Sequence, residues 1–158
     1  MGTYGYNPRP AVSGMGWVAG FTHSLLRIIS GFLFIHPGGM KLLGWFGGMP
    51  PGVELTPLLI AAGVIELVAG TLIMLGLFTR PAAFIAAGEM AFAYFIGHFP
   101  QGFWPILNQG QPAVLYCFIF LFLAGNGPGP FSLDEWLRRR RAERLEKSSR
   151  AAREGSLP

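Results

Sequence analysis

Charge is what this sequence has least of. Asp, Glu, Lys and Arg together make up 13% of its 158 residues, about half the share usual in soluble domains. Disorder requires high charge and low hydrophobicity, whereas hydrophobic residues are 51% of this chain. A nucleic-acid surface requires basic residues spread over a folded face. Here eight of the twelve Lys and Arg lie after Ser132, among five acids, so the net charge of +4 describes one tail and no nucleic-acid partner is expected. Cysteine is nearly missing as well. Cys117 stands alone, which excludes an intrachain disulfide and a Cys-x-x-Cys pair. No histidine pair is placed for haem, and no His/Cys/carboxylate cluster has metal spacing. A phosphate-binding glycine loop and a Ser or Cys triad are also absent. No metal and no intrinsic cofactor is therefore expected. Too few polar residues remain to coat a soluble helical protein, so the chain belongs in a membrane.

What is present is apolar length. A spanning helix needs about 20 mostly apolar residues, and residues 17–43, 55–78 and 81–99 meet that requirement. A fourth stretch, 111–124, is short and calls for little tilt or a thinned bilayer. The first stretch is too long for a cleaved signal peptide and carries Arg27, so it reads as a retained helix. The expected fold is an all-α transmembrane four-helix bundle. Residues 1–19 form an N-terminal segment, 20–126 the membrane domain and 127–158 a basic tail. Arg9, Arg80 and the Arg138–Arg141 run fall on one side of the spans, and the connections 44–54 and 100–110 hold no Lys or Arg. By the positive-inside rule both termini face the cytoplasm.

Local signals punctuate the spans. Pro57 suits a first helical turn, where its missing N–H does no harm. Thr79-Arg80-Pro81 reads as a tight hairpin, and Gly125 to Pro130 as a hard stop. Phe99, Phe103 and Trp104 suit a headgroup-level aromatic belt. Ser132 followed by Glu135 matches a capping box. After it, Leu133, Trp136, Leu137 and Leu145 lie among arginines. That segment reads either as an amphipathic helix on anionic lipid or as a solvated tail, with disorder expected from Ser148.

Ionisable residues inside spans carry the functional information, since each costs about 2.5–3.5 kcal/mol at a helix centre. The chain keeps Arg27, Lys41, Glu66 and Glu89, with His36 and His98. Helical spacing aligns Arg27, Gly31, Phe34, Gly38 and Lys41 in the first span. It aligns Gly63, Glu66 and Gly70 in the second, and Ala82, Ala86, Glu89 and Ala93 in the third. Small residues beside each charge mark close helix approach, so the charges should point inward. Similar depths from the cytoplasmic side suggest an Arg27–Glu89 ion pair. Glu66 falls near the midplane without an equal partner, while His36, Lys41 and His98 map to the outer end. The polar centre reads as a structural lock or as a site for a quinone, a proton or a substrate. The bland reading of both histidines is as interfacial residues with their tips in water.

Several motifs, taken in order, resemble the DoxX family. They are Arg27-x-x-x-Gly31 with His36-Pro37-Gly38-Gly39-Met40-Lys41, Gly63-x-x-Glu66-x-x-x-Gly70, and Leu75-Gly76-Leu77-Phe78-Thr79-Arg80. Met90 with His98, Gly102-Phe103, and Gly127-Pro128-Gly129-Pro130-Phe131-Ser132-Leu133-Asp134 continue the likeness. Pro37 departs from the family pattern, as does Gln111 where relatives often have glutamate. The resemblance implies a multi-pass protein of a bacterial or archaeal inner membrane. Some members resemble a subunit of thiosulfate:quinone oxidoreductase, and others associate with oxidative-stress defence. Related four-helix folds carry out thiol–quinone chemistry with paired cysteines, which this chain lacks. The expectation is an accessory membrane subunit or anchor for a redox-protein partner, with a quinone as the cofactor class. The alternatives are a small-solute or proton-linked transport component and a non-catalytic assembly factor. Besides the lipid membrane, a second copy of the chain is an open partner.

Overall fold

A computed structural model describes residues 14–154, and side-chain exposure within it for residues 16–150. Its elements are helical: α1 (Gly14–Leu43), α2 (Pro57–Leu75), α3 (Thr79–Ala93), α4 (Gln111–Asn126) and α5 (Leu133–Glu154). α3 continues through a π-helical turn, Tyr94–His98, and a 3-10 turn, Phe99–Gln101. Three segments are long and apolar enough to cross a membrane: Gly16–Leu43, Pro57–Leu75 and Thr79–Gln101. At 16 residues α4 is shorter, about 24 Å at 1.5 Å per residue, as its sequence foreshadowed. Large side chains such as Phe32, Leu33, Phe84, Leu115 and Phe118 are exposed on these helices, which is the surface a lipid-facing bundle presents. The chain is a multi-pass membrane protein.

The bundle is two hairpins. α1 packs along α2, and α3 along α4, with a lesser seam between α2 and α3. Glycine sets how close the first pair comes. A Cβ at Gly31 would lie 2.6 Å from the Met74 nitrogen, and one at Gly38 would lie 2.8 Å from the Gly63 carbonyl oxygen. The backbones touch, and this contact fixes the register of α1 on α2. Pro37 lies within α1 without ending it. The second pair meets through Ala82, Ala83, Ala86 and Ala87 and the buried Phe120 and Leu123.

Connections 44–56 and 99–110 lie at one end, called here the loop end. The turn between α2 and α3, the 127–132 segment and the start of α5 lie at the other, the tail end. That turn falls earlier than expected. Gly76 closes α2 in the left-handed conformation at φ 72°, with bonds from Gly76 N to Ile73 O and from Leu77 N to Leu72 O, a Schellman motif. Thr79, Arg80 and Pro81 already form the first turn of α3.

Two guanidinium groups serve helix ends here, where orphan carbonyls have little water to bind. Arg27, 1% exposed, donates from Nη1 to Ile73 O and Met74 O and from Nη2 to Phe131 O, each at 2.6 Å. Arg80 donates to Ala124 O and Gly125 O at the end of α4. The Asp134 carboxylate accepts from Phe78 N and Thr79 N at the start of α3, and Asp134 N donates to Gly76 O. The stretch from Gly125 to Pro130 ends α4 as expected, and the 127–132 segment also clasps α1. His23 Nε2 lies 2.9 Å from Gly127 O as a further rivet.

Ser132 caps α5 by accepting from Glu135 N at 3.2 Å. The return half of the expected capping box is missing, because Glu135 turns to Arg138 and Arg139. α5 runs through Ser148 to Glu154, and residues 155–158 of the expected disordered end lie outside the described residues. Its Ala, Arg and Glu residues are strong helix formers. Residues 1–13 of the expected N-terminal segment lie outside the described residues.

Replacing Arg27 with Met frees three carbonyls at once. The loss should be on the order of 5 kcal/mol, the lower end for three hydrogen bonds to a charged group at about 1.5–3 kcal/mol each. Hydrogen exchange should quicken at Asp134 and along the last turn of α2. Unchanged melting and exchange would remove Arg27 from this role.

Candidate functional site

The loop-end half of the bundle holds a cleft of about 630 Å³ between the two hairpins. Its floor is Phe34 on α1, 1% exposed, whose ring meets Phe120 at 4.7 Å between centroids. Tyr116 on α4 lines one wall and stacks on Phe120. Leu58, Ala61, Ile85, Gly88, Phe92 and Ile96 line the cleft and are also exposed on the bundle surface. The cleft therefore opens sideways between α2 and α3, toward lipid. Gly88 and Gly97 stand at this mouth, and a Cβ on either would meet no atom within 4 Å. Their smallness leaves space rather than permitting close packing.

Four of the six candidate residues line this cleft: Lys41, Glu66, Glu89 and His98. Lys41 Nζ donates to both oxygens of Glu66, at 2.5 and 2.6 Å. The two side chains are 13% and 3% exposed. Glu66 thus has the partner its sequence context did not reveal. The register fixed by Gly38 against Gly63 brings Lys41 level with the first turns of α2. From there its flexible stem reaches inward to the acid rather than outward to water.

Glu89 is different. Among the described residues it has no hydrogen-bond or ion-pair partner, and its Oε2 is buried. The expected Arg27–Glu89 pair does not form. α1 is 30 residues long, and Arg27 is level with the last turn of α2 rather than deep in the membrane. Glu89 is ten residues into α3, about 15 Å further along the bundle axis.

His98 closes the π-helical turn. Its Nδ1 lies 2.9 Å from Asn108 O, and because a carbonyl only accepts, Nδ1 carries the hydrogen. Nε2 is left without a partner among the described residues. His36 lies outside the cleft, against Phe32 and Phe46. Depth alone groups it with Lys41, and depth does not specify the helix face.

Two residues escaped the sequence reading. Asn108, 2% exposed, donates from Nδ2 to Gly102 O and accepts at Oδ1 from Gly110 N, which ties the 100–110 loop into a plug beside His98. An asparagine two residues before a glycine is an Asx-turn signal that would have found it. Tyr94 donates its hydroxyl to Phe103 O. Its position next to the aromatic loop carried no comparable signal.

The arrangement is a mostly apolar cleft with a neutralised ion pair and one unengaged carboxyl group on its walls. Such a site accepts an apolar molecule carrying a few oxygen or nitrogen atoms. Breaking the ion pair from one side leaves an uncompensated buried charge, typically at a cost of about 3–5 kcal/mol. Lys41→Met and Glu66→Gln should each lower thermal stability by that order in detergent, and the double variant should regain most of the loss. Strictly additive losses would contradict the pairing.

Comparison with known proteins agrees with this architecture. Residues 22–99 match the DoxX family. An uncharacterized protein of Haemophilus influenzae is 44% identical over 116 residues, covering 70% of this chain and 87% of the relative. An uncharacterized membrane protein of Mycobacterium tuberculosis is 31% identical over 136 residues, covering 73% of this chain and 80% of that protein. No solved structure matches the chain. The family match, carried through relatives of this identity and coverage, makes the chain a member of the DoxX family.

Proposed function

We propose that the protein is a membrane subunit of a quinone-linked oxidoreductase, which receives the quinone ring in the cleft and leaves electron supply to a redox-protein partner. The observation that carries this reading is the unengaged Glu89 carboxyl group inside an apolar cleft that opens to lipid. A quinone is amphipathic in the same way, with an apolar ring and tail and two oxygens that need hydrogen-bond partners. It reaches its site through the bilayer, which suits a sideways mouth.

A bound quinone would supply two-electron, two-proton acceptor chemistry. The protein's own part is to bind, orient and pass protons. Glu89 Oε2 is the atom free to share or release a proton toward a ring oxygen. Lys41 spends two donors on Glu66 and retains a third. His98 Nε2 is a second proton-exchanging atom at the loop end of the cleft. Phe34 and Phe120 close the floor, which favours a dead-end binding site over a transport path. Cys117 is single, so the chain has no dithiol of its own and the partner must provide the reductant.

With the positive-inside orientation, the cleft faces the outer half of the membrane and α5 lies in the cytoplasm. The similarity to a membrane protein of Mycobacterium tuberculosis supports a membrane location.

Purification in mild detergent, followed by solvent extraction and chromatography, tests the reading. Quinone should co-elute with the native protein. Gly88→Phe should abolish that without lowering thermal stability, because the added ring enters open space at the mouth. Glu89→Ala should reduce it severalfold. Quinone content unchanged by Gly88→Phe would overturn the assignment to this cleft.

A further inference from the structure

α5 leaves the bundle with its charges sorted onto two faces. Arg139 and Arg138 donate to Glu135 at 2.8 and 2.9 Å, holding its carboxyl group below the usual carboxylate range. Glu146 pairs with Arg150 at 4.0 Å. These self-neutralising pairs share one side of the helix. The other side follows the helical spacing 133, 136/137, 140, 144, 147. It carries Leu133, Trp136 and Leu137, then Arg140, Arg144 and Lys147. Of the acids up to residue 147, Asp134, Glu135 and Glu146 lie off this face and Glu143 stands at its border, without forming an ion pair. None of the three cations has an ion-pair partner among the described residues.

The three apolar side chains are uncovered, with Trp136 47% and Leu137 48% exposed. The Arg140 guanidinium lies 4.0 Å over the Trp136 ring, joining the apolar and basic parts of the face. The position of the face is also fixed. Through Asp134, α5 is pinned to Gly76, Phe78 and Thr79, the turn where α2 ends and α3 begins. The uncovered residues therefore emerge at the edge of the membrane-spanning region. Tryptophan is favoured at that level, and the negative lipid surface attracts basic side chains there.

We infer that this face of α5 docks on the anionic headgroups of the membrane holding the bundle. Leu133, Trp136 and Leu137 sit at the headgroup–acyl boundary, and Arg140, Arg144 and Lys147 lie on lipid phosphates. Of the four unpaired cations from Arg140 to Lys147, three follow the uncovered tryptophan on one face and Arg141 lies beside it. The bilayer is the occupant because the face begins at its edge. This inference is independent of what the cleft binds.

The test uses the full chain in nanodiscs of phosphatidylcholine, alone or mixed with phosphatidylglycerol, each with brominated phosphatidylcholine as quencher. The Trp136 signal is the difference between the native protein and Trp136→Phe, since Trp17, Trp45 and Trp104 remain in both. Quenching of that signal should be strong in the anionic discs, weak in the neutral ones, and lost at high salt as screening grows. The triple variant Arg140→Gln, Arg144→Gln, Lys147→Gln should lose it, while Arg138→Gln with Arg139→Gln should keep it. Equal quenching in both lipids, absence of quenching in either, or equal losses in the two charge variants would each overturn the docking.

Discussion

Lys41 gives two hydrogen bonds to Glu66 in a region where water cannot compensate either charge, and that pairing decides what is left for Glu89. The two side chains meet because α1 and α2 are in backbone contact along Gly31 and Gly38, which sets the register between them. Once Lys41 is committed, the loop-end half of the bundle has no second Lys or Arg among the described residues to spend on Glu89. Lone polar atoms in apolar surroundings are costly, and such sites persist where a ligand or a proton completes them. The cleft around Glu89 is where that completion would occur.

The two ends of the bundle divide the work. At the tail end most strong polar groups fasten chain to chain: Arg27 and Arg80 bind carbonyls, Asp134 binds amides and His23 meets Gly127, while Arg27 Nε and Thr79 Oγ1 are left buried without a partner. The core between Ile73, Ala83, Phe120 and Leu123 is closed. At the loop end the hairpins part, and their inner walls carry polar groups that the fold does not consume. A rigid base beneath an open cleft holds a site in place without requiring the whole bundle to move.

Much of this was legible in the sequence. Apolar length gave the helices, and the small-residue stripes correctly identified the buried faces of α1 and α2. The end of α4 at Gly127 and the Ser132 cap also followed from local chemistry. Pairing across helices did not follow, because it depends on axial register. Counting from the start of an apolar stretch puts Arg27 deep, yet the first turns of α1 extend past the end of α2 and Arg27 belongs to the tail end. The Cα of Lys41 maps to the interface, whereas its side chain is long enough to end elsewhere. His36 shows the remaining limit, since depth alone could not tell that it faces Phe32 and Phe46 rather than the cleft.

Photolabelling with an azido-quinone in native membranes tests the central claim most directly. If the cleft is a quinone site, the label should map to α2 and α3 around Ala61, Ile65 and Phe92, and excess unlabelled quinone should displace it. Labelling spread over the lipid-facing surfaces of α1 and α4, and insensitive to competitor, would contradict the account.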